Sequence, residues 1–220
     1  MRQYKTIMMV MFLLSVFCLS KVNAIVKDYS LVGKVIYLDA GHGGVDSGAV
    51  SAYIIEKDMN LVLVKKLEEK LVSKGAIVFL TRDGDYDLAG SAANRKRSDL
   101  YKRAMLINES GCDMYISIHL NATTSSKWNG IQIFYDDIVG DNKIIAETIT
   151  NALSKNMSNI REYKEANDYY MYSKIKVPGV LIEAGFVSNA NDNYKLRQND
   201  YQDKLMNNIV SGIEEYFRNQ

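Results

Sequence analysis

Val35-Ile36-Tyr37-Leu38-Asp39-Ala40-Gly41-His42-Gly43-Gly44 begins as an apolar run and ends in glycines around a histidine. A short run rich in apolar residues, halted by small residues, reads as a strand buried on both faces, the kind that builds parallel sheets. The same pattern recurs at Tyr115-Ile116-Ser117-Ile118-His119-Leu120-Asn121-Ala122. These two segments hold both histidines of the 220-residue chain. In an open α/β sheet, side chains at the carboxyl ends of strands project into the crevice where ligands bind. The pair therefore predicts a metal site.

The rest of the chain alternates strand and helix around these segments. Residues 34–38 form the first strand, and Ile55, Met59, Leu63, Leu67 and Leu71 recur every fourth residue, an apolar stripe along one helix face. Gly75 follows as a C-cap. Residues 76–81 read as a strand, 91–110 as a charged helix, 114–119 as a strand, and 131–135 as a half-buried strand. A helix over 142–158, a strand over 180–183 behind Pro178-Gly179, and a closing helix marked by Leu205, Ile209, Ile213 and Phe217 complete the pattern. It predicts an α/β fold of one domain, with a largely parallel twisted sheet flanked by helices on both faces.

Residues 1–24 stand apart. Arg2 and Lys5 precede an apolar run over residues 7–19, and Val22-Asn23-Ala24 supplies the small residues of a cleavage site, the pattern of a secretory signal peptide. A run this short falls below the roughly 20 residues a bilayer-spanning helix needs, which argues against a retained membrane anchor. Bulky Phe17 before Cys18 argues against a lipid acceptor. The expectation is an exported protein whose folded domain is residues 25–220, with no stable membrane anchor after cleavage. The chain has 27 Lys and Arg; without Arg2, Lys5 and Lys21 there are 24 against 26 acidic side chains, a formal charge of −2. Nucleic acid is thereby excluded as a partner, because its binding leans on concentrated positive charge. Cys112 is the one cysteine left, so no intrachain disulfide can form and stability must come from the core.

Four residues carry the candidate chemistry. His42 sits among glycines that let the chain turn sharply beside a ligand. Glu56 opens the first long helix, where the dipole favours its charge. His119 and Glu183 end two further strands, and an acid closing the apolar run Val180-Leu181-Ile182 is costly unless paired or functional. Two imidazoles and a carboxylate are a common catalytic zinc set, with water in the fourth position. A second carboxylate is what such a hydrolase needs to handle the proton. The glycine loop lacks the Lys-Ser/Thr of a P-loop and the spacing of a dinucleotide fingerprint, which sets phosphate binding aside. Cys112 reads as a buried hydrophobe, with no further histidine to activate it. Tyr163, Tyr169, Tyr170 and Tyr172 read as packing residues, with a place beside a sugar-peptide groove open to some of them.

Leu38-Asp39-Ala40-Gly41-His42-Gly43-Gly44, Ile55-Glu56-Lys57-Asp58, Ser117-Ile118-His119-Leu120-Asn121-Ala122 and Val180-Leu181-Ile182-Glu183-Ala184-Gly185-Phe186-Val187-Ser188-Asn189 together resemble the zinc-dependent N-acetylmuramoyl-L-alanine amidases, in order and spacing over residues 33–218. Leu120 and the stretch Lys127-Trp128-Asn129-Gly130-Ile131-Gln132-Ile133-Phe134-Tyr135 resemble the family's spore-cortex members in particular. Ala40 departs from the proline many members carry there. The resemblance implies that His42, Glu56 and His119 hold zinc and that Glu183 is the catalytic carboxylate. It implies a peptidoglycan glycan strand with its stem peptide as substrate, in the cortex of a developing spore, on the way to muramic lactam. An accessory activator protein is a further implied partner. Asp39 or a backbone carbonyl is expected to accept the outer N–H of a ligand histidine, and Asn121 with the loop over 123–129 to contact substrate. Two alternatives belong to other classes: a zinc peptidase cutting within the stem peptide, and a non-catalytic wall-binding or scaffold protein.

Overall fold

The computed structural model describes residues 29–166 and 169–220, so the signal peptide expected over residues 1–24, with Cys18, lies outside the described residues. One sheet contains β1 (Val35–Ala40), β2 (Ile77–Leu80), β3 (Met114–Asn121), β4 (Gln132–Tyr135), β5 (Lys164–Glu165) and β6 (Gly179–Phe186) in the order β2-β1-β3-β6-β4-β5. Every pairing is parallel except β4 with β6. The helices are α1 (Glu56–Ser73), α2 (Arg95–Glu109), α3 (Asp141–Asn156), α4 (Ala190–Leu196) and α5 (Asn199–Arg218). This is the largely parallel, helix-flanked α/β sheet that the alternation predicts.

Successive strand residues point to opposite faces, and residue type sorts the two layers. Ile36 and Leu38 of β1, Met114, Ile116 and Ile118 of β3, and Val180 and Ile182 of β6 share one buried cluster with Leu63, Val64, Leu67 and Leu71 of α1. Ile145, Ile149 and Leu153 of α3 and Leu205, Ile209 and Ile213 of α5 close the same core. Each such side chain contributes about 1.5–3 kcal/mol on full burial, so this face carries the bulk of the stabilisation. The alternate residues Tyr37, Tyr115 and Leu181 meet a smaller cluster with Ala104 and Ile107 of α2 and with Met171, Tyr172 and Ile175. By the same alternation Asp39, Ser117, His119 and Glu183 belong to that second face. Polar chemistry is thus placed where the apolar packing is thinner.

Two strands run further than their apolar cores suggest. β3 continues to Asn121 and β6 to Phe186, with an irregularity in their register between His119 and Asn121. Two elements have no counterpart in the sequence pattern. β5 is two exposed residues, and α4 is a seven-residue helix whose start is capped by the Asn189 side chain, which accepts from the N–H groups of Asn191 and Asp192. Neither is long enough to show a period.

Candidate metal centre and active site

His42 follows β1 in a loop, at φ 63°. For a residue with a Cβ this left-handed conformation costs on the order of 1–3 kcal/mol and persists only where the surroundings over-determine it. Here two arginines, each 1% exposed, do so. Arg103 of α2 donates to the carbonyls of Ala40 at 2.7 Å and His42 at 2.6 Å. Arg82 donates to Ala40 at 2.9 Å and Gly41 at 3.0 Å, and Asn60 of α1 adds a bond to Gly41 at 3.2 Å. The Arg103 charge is balanced by Asp39 and Asp99, each at 2.8 Å. Burial pushes the Asp39 carboxyl up, but Arg103, His119 and hydrogen bonds from Ser117 and Thr81 outweigh it and hold the group at about 2.

Three donor groups converge on one point. His42 Nε2 and His119 Nδ1 each lie 3.1 Å from Glu56 Oε1, and one ligand atom from each residue falls within 4.8 Å of the others. Donors about 2.0–2.1 Å from a tetrahedral zinc stand roughly 3.3 Å apart, so these residues fit that ion. Glu56, 4% exposed, is locked in place: Ala49 N–H donates to Oε2 at 2.8 Å and Leu120 N–H to Oε1 at 3.0 Å. Although burial opposes its charge, the two imidazoles hold the Glu56 carboxyl well below the usual carboxylate range. Burial likewise disfavours the His42 cation, yet Glu56 and Asp46 outweigh it and raise that imidazole. The partner of the outer nitrogen of His42 is Asp46, 3.0 Å from Nδ1. Asp39, expected with a backbone carbonyl as a candidate partner for the outer N–H of a ligand histidine, instead accepts from Arg103, Thr81 and Ser117. An Asp46 carboxylate on Nδ1 fixes the tautomer that leaves Nε2 facing the centre.

Two glycines make room. A Cβ on Gly41 would fall 2.2 Å from Cε1 of His119, whose ring lies against that backbone. At Gly48, φ is 63° and a Cβ would meet Glu56 Oε2 at 2.5 Å.

Glu183 faces this group from the neighbouring strand, paired in register with His119. It is 8% exposed, and its Oε2 has no hydrogen-bond partner among the described residues. Burial raises its carboxyl to about 7; the imidazoles oppose the shift and the Glu56 charge reinforces it. His42, Glu56, His119, Asn121 and Glu183 line one cavity of about 300 Å³, and Tyr169, Tyr170 and Tyr172 belong to the same lining. Tyr163 instead packs on Tyr135, 5.9 Å between ring centroids. Cys112 is buried in the smaller cluster, as expected. The loop over 123–129 is tied to the end of β6: Asn189 Nδ2 donates to the Ser126 carbonyl at 2.7 Å, and Asp192 Oδ2 accepts from Gly130 N–H at 2.7 Å and Phe186 N–H at 3.1 Å. Sequence reasoning passed over Asp46, Asn60, Arg82, Asp99 and Arg103. For the α2 pair a signal existed, since Asp99 and Arg103 sit at i and i+4 in line with Ile107.

Two imidazoles and a carboxylate gathered at the carboxyl ends of parallel strands, with another carboxyl facing them, are the donor set of a metal-dependent hydrolase. Residues 36–215 match the N-acetylmuramoyl-L-alanine amidase family. The chain belongs to that family, and it is a peptidoglycan amidase. It is 42% identical over 192 residues to the germination-specific N-acetylmuramoyl-L-alanine amidase of Bacillus subtilis strain 168, covering 85% of this chain and 81% of that protein. To the amidase LytC of the same bacterium it is 33% identical over 190 residues, 86% of this chain and 36% of the other. Among solved structures it is similar to the CwlD amidase from Clostridioides difficile, determined in complex with the GerS lipoprotein, with 37% identity and a TM-score of 0.81 over 86% of this chain and 100% of that one.

Proposed function

We propose that His42, Glu56 and His119 hold one zinc ion and that Glu183 is the catalytic carboxylate for hydrolysis of the bond between the muramic lactyl group and L-alanine. The observation that carries this reading is the meeting of three donor atoms within 4.8 Å, in one cavity with the unpartnered Oε2 of Glu183. Zinc bound there supplies a Lewis acid that polarises the scissile carbonyl and lowers the pKa of a water toward ~7. Glu183 takes a proton from the attacking water and returns one to the departing alanine nitrogen, a role worth about 10²- to 10⁴-fold. Burial, which raises this carboxyl in the metal-free protein, favours its keeping a proton between the two transfers. Asp46 and the arginine-bound loop keep His42 aimed, and Asn121 with the loop over 123–129 contacts the glycan or peptide.

The place of action is the cortex of a developing spore, where removal of stem peptides precedes muramic-lactam formation. The germination-specific relative supports it, and the signal-peptide pattern in the sequence of residues 1–24 agrees with it. An accessory activator protein is also proposed, on the precedent of the lipoprotein bound to the similar CwlD amidase. The test is mass spectrometry of muropeptides digested by the zinc-loaded protein, with and without chelator. Peptide-free muramic acid and stem peptides with a free alanine amine, both lost on chelation, are expected. Cuts within the stem peptide would transfer the site to the zinc-peptidase alternative, and chelator-insensitive binding without products would leave a wall-binding protein.

A further inference from the structure

Tyr172 opens the 3₁₀ turn Tyr172–Lys174 just before β6 and is 2% exposed. Its ring is fixed between Tyr169, 5.2 Å between centroids, and Tyr115 at 6.5 Å. Its hydroxyl has no hydrogen-bond partner among the described residues. A buried hydroxyl left unsatisfied costs about 1–3 kcal/mol and calls for an explanation. Packing alone supplies none, because phenylalanine would pack the same ring without that cost.

Position suggests the reason. Tyr172 lines the cavity that Glu183 also lines, and Glu183 Oε2 is the other unpartnered atom among those lining residues that the structure describes. Burial, reinforced by Tyr115, Tyr169 and the Glu183 charge, holds the phenol well above its ordinary value, so it is a neutral donor over the whole working pH range. One orphaned donor and one orphaned acceptor in a single cavity match the two polar ends of amide groups, a carbonyl for the phenol and an N–H for the carboxylate. The substrate is a chain of such amides.

We infer that Tyr172 is a substrate-contacting residue whose hydroxyl donates a hydrogen bond to an amide carbonyl of the muramoyl peptide lying against Glu183. This rests on the assignment of the cavity as the reaction site. The rigid aromatic wall keeps the donor in place before substrate arrives, which lowers the ordering cost of binding. The hydroxyl transfers no proton; it holds ground state and transition state alike.

The test compares zinc-loaded wild type with Tyr172→Phe on a soluble muramoyl tripeptide, recording KM, kcat, zinc content and melting temperature. One neutral hydrogen bond corresponds to a rise in KM of about three- to tenfold with kcat within about twofold. Zinc content stays the same and the melting temperature stays level or rises, because no hydrogen bond of the free protein is lost. An active wild type with an unchanged KM in Tyr172→Phe overturns the inference alone. So does a variant that loses activity together with several degrees of melting temperature, which would mark a structural hydroxyl. A wild type that binds zinc but releases no peptide overturns the site assignment and the inference with it.

Discussion

Replacing Gly41 by alanine probes the metal centre through sterics alone. The added Cβ would stand 2.2 Å from Cε1, 2.3 Å from Nε2 and 2.6 Å from Nδ1 of His119. Non-bonded carbons settle at about 3.5–4.0 Å, so the ring must withdraw by about 1.3 Å at least. Metal–ligand distances tolerate only about 0.2 Å, and a misplacement of about 1 Å in a catalytic group costs on the order of 100-fold. The main core lies on the opposite face of the sheet, beyond Ile118 and Ala40, and should keep the fold intact. Gly41→Ala is therefore expected to show a wild-type far-ultraviolet circular dichroism spectrum, to lose its zinc on dialysis and, assayed with excess zinc, to release stem peptides at least about 100-fold more slowly. Gly140→Ala, with no atom within 4 Å of its Cβ, is the control and should match wild type. Full zinc in Gly41→Ala, with a rate near that of wild type, would refute the packing argument and with it the placement of His119 at the centre.

Glu183→Gln should keep its zinc by elemental analysis and lose about 10²- to 10⁴-fold in peptide release; a rate above one tenth of wild type would contradict its role as proton carrier. In the metal-free protein, the Glu183 carboxyl is raised from 4.5 to about 7, so the folded state binds the proton more tightly than the unfolded state. Its contribution is present below pH 4.5 and lost as pH rises through 7, on the order of 3 kcal/mol at 1.36 kcal/mol per pK unit. Urea unfolding of metal-free Glu183→Gln should accordingly lose less stability across that window than wild type, and parallel curves would remove burial as the cause. Arg103→Met strands Asp39 and Asp99 without their cation and should cost about 3–5 kcal/mol in urea unfolding; a loss below about 1 kcal/mol would show that the loop is held by other means.

The fold was readable because it follows from alternation. Apolar runs ending in small residues mark parallel strands, and the fourfold spacing of Leu63, Leu67 and Leu71 marks the helix that covers them. The candidate site was readable for a related reason: His42, His119 and Glu183 each end such a run, and the sheet topology carries them to one edge, where Glu56 joins the two histidines from the start of α1. What escaped the reading depends on contacts between residues distant in sequence. Arg103 sits in a helix whose many charges look like a solvated face, and only the folded chain shows that it turns inward to hold the Ala40 and His42 carbonyls. Arg82 escaped similarly, since its partners are backbone oxygens, which leave no mark in a sequence. The choice of Asp46 over Asp39 as the His42 partner turns on a left-handed backbone at His42 that no pattern announces. Tyr172 read as packing, and it does pack; its unsatisfied hydroxyl is visible only once its neighbours are known.

The central claim is that a single cation is held jointly by His42, Glu56 and His119. Anomalous diffraction at the zinc edge from crystals of the zinc-loaded protein tests it most directly. One strong peak about 2.0–2.2 Å from His42 Nε2, His119 Nδ1 and a Glu56 carboxylate oxygen is predicted. A peak elsewhere, or none at that point in crystals that contain zinc, would contradict it.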